Sequence, residues 1–287
     1  MPEPTAILLP ADSVVPTARR VGPSSDAERP PWTEPYTSHL FEPQNEGDRA
    51  AWFHFCHGHH VEFLYWEMTR LACQRVTAAL EDGDDAEAER WLGRVDALTR
   101  GSGAMLYFCG ALDAETYDRC LRTSMEAERD DFSGDMSRDF LAMMDAKAKM
   151  KASLESGGKQ ELTDRFRRAE RVWMIHHGDV VRALHPGKSL LREKVEQLEQ
   201  EAESFDYQAY VDNVVRSEQA LADYDDYFGV RRSDSITLDE FWTQALEKLA
   251  TVHSGFSLES EQREELMRGD AVLIAVLSEL LEAGGEG

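Results

Sequence analysis

Residues 166–188 read FRRAERVWMIHHGDVVRALHPGK. The spacing predicts one long helix, closed by Pro186 and Gly187. Proline removes a backbone donor, and glycine suits the turn that ends a helix. Each residue advances an α-helix by about 100°. Measured from His177, the side chains of Phe166, Trp173, Val180, Val181 and Leu184 fall within roughly 60° of it. Arg168, Arg171 and Asp179 point away. A single imidazole thus lies in a stripe of large apolar side chains. Two readings follow: a core histidine whose ring nitrogens find hydrogen bonds, or an axial ligand to a metal or haem.

Working outward, nearly every segment from about Gly47 carries helical periodicity, and only Pro186 interrupts. No alternating β-branched run is long enough for a sheet. Helices are expected over 47–81, 84–100, 113–127, 136–156, 159–185, 188–203, 206–228, 238–253 and 259–283, which makes the fold all-α. All the prolines except Pro186 precede residue 46. Residues 1–46 are therefore expected as an extended or loose arm, and 47–287 as one helical domain.

A formal charge of -24 argues against binding a nucleic-acid backbone or an anionic membrane surface, both of which need clustered Lys and Arg. No stretch approaches the ~18 apolar residues of a membrane span. Cys56, Cys73, Cys109 and Cys120 form no CxxC and no disulfide framework, so a reduced, cytoplasmic protein is expected.

A second histidine group lies in AWFHFCHGHHVEFLYWEMTRLA, residues 51–72. On a helix, His60, Leu64, Met68 and Leu71 share a face with His57, and His59 lies nearly opposite. His57-x-x-His60 could hold a metal, yet zinc or di-iron needs further ligands, and Glu62 follows the histidines rather than preceding one by three. Gly58 in mid-helix costs ~1 kcal/mol against Ala and implies that something bulky, a haem or a closely packed helix, approaches the backbone.

These features together resemble the tryptophan 2,3-dioxygenase superfamily. Trp173, His177 and Val181, with Arg182 displaced by one place, look like its proximal haem helix, and His60 with Trp66 like its distal motif. Arg119 and Arg122, followed by Phe132-Ser133-Gly134, look like its carboxylate-binding region. The glycine loop that follows the proximal helix in that family is replaced by His185-Pro186-Gly187-Lys188-Ser189. With the GHH cluster, this is closer to the divergent branch of haem-dependent aromatic hydroxylases of natural-product pathways.

The resemblance implies an all-helical bundle with haem b between helices, and hydroxylation of L-tyrosine to 3,4-dihydroxyphenylalanine by O₂ or hydrogen peroxide. His177 would be the iron ligand, with Trp173, Val181 and Lys188 beside the cofactor. His60, or else His57, would move a proton between the oxygens of bound peroxide. Arg122, with Arg119 as fallback, would hold the substrate carboxylate. Ser133, Gly134, Trp66 and Phe63 would line the substrate site. A homo-oligomer, with a dimer favoured, is expected. Oxygenation of an indole substrate is the enzymatic alternative, and a non-catalytic haem-binding or helical interaction protein the alternative of another class.

Overall fold

A computed structural model describes residues 7–8, 44–185, 187–202, 204–232, 243, 245–250, 252 and 260–284. Most of the arm expected over 1–46, and much of the helix expected over 238–253, lie outside the described residues. Helix α1 spans Glu46–Glu81. Asn45 caps it by accepting from the Asp48 amide at 3.0 Å, and Glu46 and Asp48 complement the positive helix end. Its sequence is apolar or aromatic on every side, and it is buried almost all round.

Helix α2, Asp85–Cys109, runs back along α1. It was expected to stop near residue 100, where Gly101 and Gly103 interrupt the pattern, but it continues for two more turns. Those glycines are contact points. A Cβ on Gly101 would stand 2.7 Å from the Gly269 Cα, so only glycine lets the last helix approach there.

Helices α3, Arg138–Ser156, and α4, Gln160–Leu184, form a hairpin across Gly157 and Gly158. α3 packs along α1 and α4 along α2, with little contact between α3 and α4 themselves. These four helices make the bundle that holds the site. Helix α5, Leu190–Glu201, and helix α6, Glu218–Tyr227, follow, and α7, Ser260–Gly284, packs mainly on α2.

The single helices expected over 113–127 and 206–228 are interrupted by wider π turns at Tyr117–Arg122 and Val211–Val215. The fold is all-α, apart from a two-residue antiparallel pairing of Ile7–Leu8 with Arg231–Arg232. Among the described residues no helix is long and apolar enough to cross a membrane, and all four cysteines are buried and free.

Candidate functional site

The interior of the α1–α4 bundle is polar at its centre, and each helix supplies one side chain. Glu62 of α1 is 1% exposed. Ser102 of α2 donates to its Oε2 at 2.6 Å, and the indole N–H of Trp173 on α4 donates to the Ser102 hydroxyl at 3.1 Å. Lys147 of α3 is buried, with Nζ 5.9 Å from the centre of the Phe166 ring. Burial pushes the Glu62 carboxyl up to about 8, against the pull of the Ser102 hydrogen bond and the Lys147 charge. Burial also lowers Lys147, against the charges of Cys73, Glu170 and Glu62.

Trp173 joins this centre to α4, where the expected inward face needs correction. Phe166 and Ala169 are buried and Trp173, His176 and Val180 half-buried, all turned to α2, while His177 is exposed. The ring of His176 meets Tyr107 at 5.3 Å, and its Nε2 lies 3.6 Å from Glu265 of α7. The apolar stripe is wider than the face α2 covers. Past Trp173 its outer flank is only partly covered, with Val181 42% exposed and Met174 59% exposed. His177 lies at that boundary, stacked on Trp173 with ring centres 5.1 Å apart and planes within 6°.

His60, expected to act on the distal side of a haem held by His177, has its ring nitrogens engaged by the protein. His60 is fully buried on the side of α1 that faces residues 228 and 248. A carbonyl can only accept, so His60 Nε2–H donates to the Phe228 carbonyl at 2.7 Å, and its Nδ1 accepts a hydrogen bond from Lys248 Nζ at 3.3 Å. His57 Nε2–H likewise donates to the Lys248 carbonyl at 3.0 Å, with its ring stacked on Phe53. Burial lowers His57 to about 3 and Lys248 to about 7. Both histidines therefore face Phe228 and Lys248, whereas Glu62, about 200° further round α1 from His60, faces α2. Because α1 is buried on all sides, periodicity could not choose its functional face.

Arg122 and Arg119 do not converge on a shared ligand. Arg122 donates to Glu193 at 2.6 Å, to the Lys188 carbonyl at 3.2 Å and to His185 at 3.1 Å. Arg119 donates to Asp48 at 2.8 Å, tying the π turn to the start of α1. Ser133 caps the 3-10 turn Gly134–Met136 by accepting from the Asp135 amide. Lys188 is exposed and bonded to Glu196. Phe63 and Trp66 are packed together, Phe63 against Phe228 and Trp66 against Phe140, but among the described residues the Trp66 indole N–H has no hydrogen bond.

A haem is implied by the resemblance, and the outer flank of α4 fits one. Neither ring nitrogen of His177 bonds to the protein among the described residues, and Met174 and Val181 add exposed apolar surface beside it. An available imidazole on an apolar skirt suits a flat apolar group bearing a ligatable metal. Elsewhere, among the described residues, no three His, Cys, Asp or Glu side chains are placed to share a metal ion.

Glu62, Ser102 and Lys147 were not singled out from the sequence. One signal for Lys147 was present: it occupies the apolar stripe of Met143, Met150 and Leu154, where a charge is out of place. His59 was set aside, yet its Nδ1–H donates to the Phe55 carbonyl at 2.7 Å while its ring stacks on Phe228.

A family model described as SfmD 3-methyl-L-tyrosine peroxygenase matches residues 5–169. The matched span holds α1, α2, α3 and the first part of α4, and stops before Trp173 and His177. No curated protein matches the chain.

Proposed function

The chain belongs to the SfmD 3-methyl-L-tyrosine peroxygenase family, and from this we propose that it hydroxylates the ring of a tyrosine-type amino acid, using hydrogen peroxide and a haem held by α4. The family match across the bundle carries the reading. Peroxide supplies both the oxidant and the oxygen atom: an aryl C–H and H₂O₂ become an aryl C–OH and water. L-Tyrosine would give 3,4-dihydroxyphenylalanine. A 3-methyl-L-tyrosine substrate would react at the ring position still open beside its hydroxyl.

His177 would hold the iron, and bound haem would supply cleavage of the peroxide O–O bond. Trp173, fixed through its indole N–H to Ser102, orients the His177 ring by stacking. Met174 and Val181 would exclude water from that face. His60 and His57 hold the segments of Phe228 and Lys248 against α1, which gives them positioning roles behind the site.

Visible spectroscopy tests this reading. The purified protein, supplied with haem, should show a Soret band that His177→Ala abolishes and His176→Ala retains. With labelled peroxide and 3-methyl-L-tyrosine, the product should gain one labelled oxygen atom. A protein that takes up no haem, or takes its oxygen from O₂, overturns the proposal.

A further inference from the structure

The bundle interior holds two opposite charges that do not meet. Glu62 Oε2 accepts from Ser102, and because Ser102 receives the Trp173 N–H, its own proton is committed to Glu62. The other carboxyl oxygen, Oε1, is buried without a hydrogen bond among the described residues. Lys147 has no carboxylate within 4.0 Å among the described residues, though Glu62 and Glu170 both act on it through their charge. The carboxyl and the ammonium thus feel one another through their charges and close no ion pair among the described residues.

We propose that Glu62 and Lys147 are the anchors for the head of the amino-acid substrate, Glu62 Oε1 receiving the α-ammonium and Lys147 Nζ the α-carboxylate. The proposal rests on the amino-acid reading above and assigns its recognition.

Three observations converge on it. A buried carboxyl whose Oε1 has no partner and a buried amine with no carboxylate beside it, among the described residues, are costly, and a zwitterion between them neutralises both at once. Burial has already moved both groups toward their neutral forms, as expected of a site waiting for counter-charges. The cations first expected to clamp the carboxylate are engaged elsewhere, Arg122 by Glu193 and Arg119 by Asp48. Of the other buried cations, Arg70 is paired with Glu67, and Lys248 faces His60 on the other side of α1.

Two further interior groups have unmet hydrogen-bonding capacity: the Trp66 indole N–H, one turn along α1 from Glu62, and the Thr99 hydroxyl, one turn before Ser102 on α2. Buried polar atoms without partners are rare in folded proteins. Their presence beside Glu62 and Ser102 is accounted for by a polar guest.

Isothermal titration of the full chain with four compounds tests this. L-Tyrosine carries both head groups, tyramine lacks the carboxylate, 3-(4-hydroxyphenyl)propionate lacks the ammonium, and 3-methyl-L-tyrosine carries both with the ring methyl. The wild type should bind the two amino acids at least about tenfold more tightly than either truncated analogue. Glu62→Gln should bring L-tyrosine down to the level of the propionate, and Lys147→Met to the level of tyramine. Folded variants that bind L-tyrosine as the wild type does overturn the assignment.

The wild type is decisive even where a variant fails to fold. Equal affinity for all four compounds removes the anchors while leaving an aromatic ligand. Binding of none removes the amino-acid reading itself, and the anchors with it.

Discussion

Gly58 and Cys109 touch where α1 crosses α2: a Cβ on Gly58 would stand 2.4 Å from the Cys109 Sγ and 3.1 Å from its Cα. The bulky neighbour implied by a glycine in mid-helix is therefore a second helix. Gly58→Ala should destabilise the fold by about 1–3 kcal/mol, because the interior is already filled. Cys109→Ala in the same chain should recover only part of the loss, since the Cα clash remains. Chemical denaturation of the single and double variants measures both.

Acid should unfold the protein through its histidines. Burial lowers His54 and His59 to about 4 and His57 to about 3, from an ordinary 6.5. The unfolded chain then binds protons that the folded chain refuses. The stability is fully present above about pH 6.5 and is lost as pH falls toward 4, by roughly 1–2 kcal/mol per buried histidine at pH 5. Thermal melts between pH 7 and pH 5 should show a steep fall in Tm, and a flat profile would mean these rings are not buried.

Ser102→Ala removes a donor from Glu62 and an acceptor from Trp173 together. Stability should drop by about 1–3 kcal/mol, the cost of leaving buried polar atoms unmet. Haem should remain bound, with the Soret maximum displaced as the stacked Trp173–His177 pair loosens. An unchanged spectrum would show that the hydrogen bond does not position that pair.

Arg122→Ala should act on stability before substrate affinity. The side chain joins the π turn Tyr117–Arg122 to the start of α5 through Glu193 and the Lys188 carbonyl. A lowered Tm with KM unchanged is expected. A raised KM at unchanged Tm would return Arg122 to the carboxylate-binding role that its sequence neighbourhood first suggests.

The fold was largely legible from helical periodicity and from the Asp82-Gly83-Asp84 and Gly157-Gly158 stops, whereas the caps at Ser137, Ser189 and Ser217, each accepting the amide three residues on, fell inside helices expected to begin earlier or run through. The π turns were not, since an extra residue in one turn leaves composition unchanged. The site was less legible. Periodicity on α4 correctly found a stripe, but which edge meets α2 depends on a partner distant in sequence, and that shifts the inward position from His177 to His176. On α1, where every face is apolar, the same method had nothing to separate Glu62 from its neighbours. Lys147 shows the reverse case, a charge in an apolar stripe that periodicity alone passes over.

The hairpin of α3 and α4 carries one more consequence, in rates rather than affinities. α3 holds to α1 and α4 to α2, and the two are joined at the Gly157-Gly158 turn, where Gly158 takes a φ of 67°. The ion pairs near that end, Lys159 with Asp85 and Arg167 with Glu155, brace the turn. Farther along, the seam between the helices has little to hold it shut. A guest bound for Glu62 and Lys147 must part that seam, so its arrival should be paced by the opening of the protein: at high ligand concentration the observed association rate should level off at the opening rate, the same for every guest.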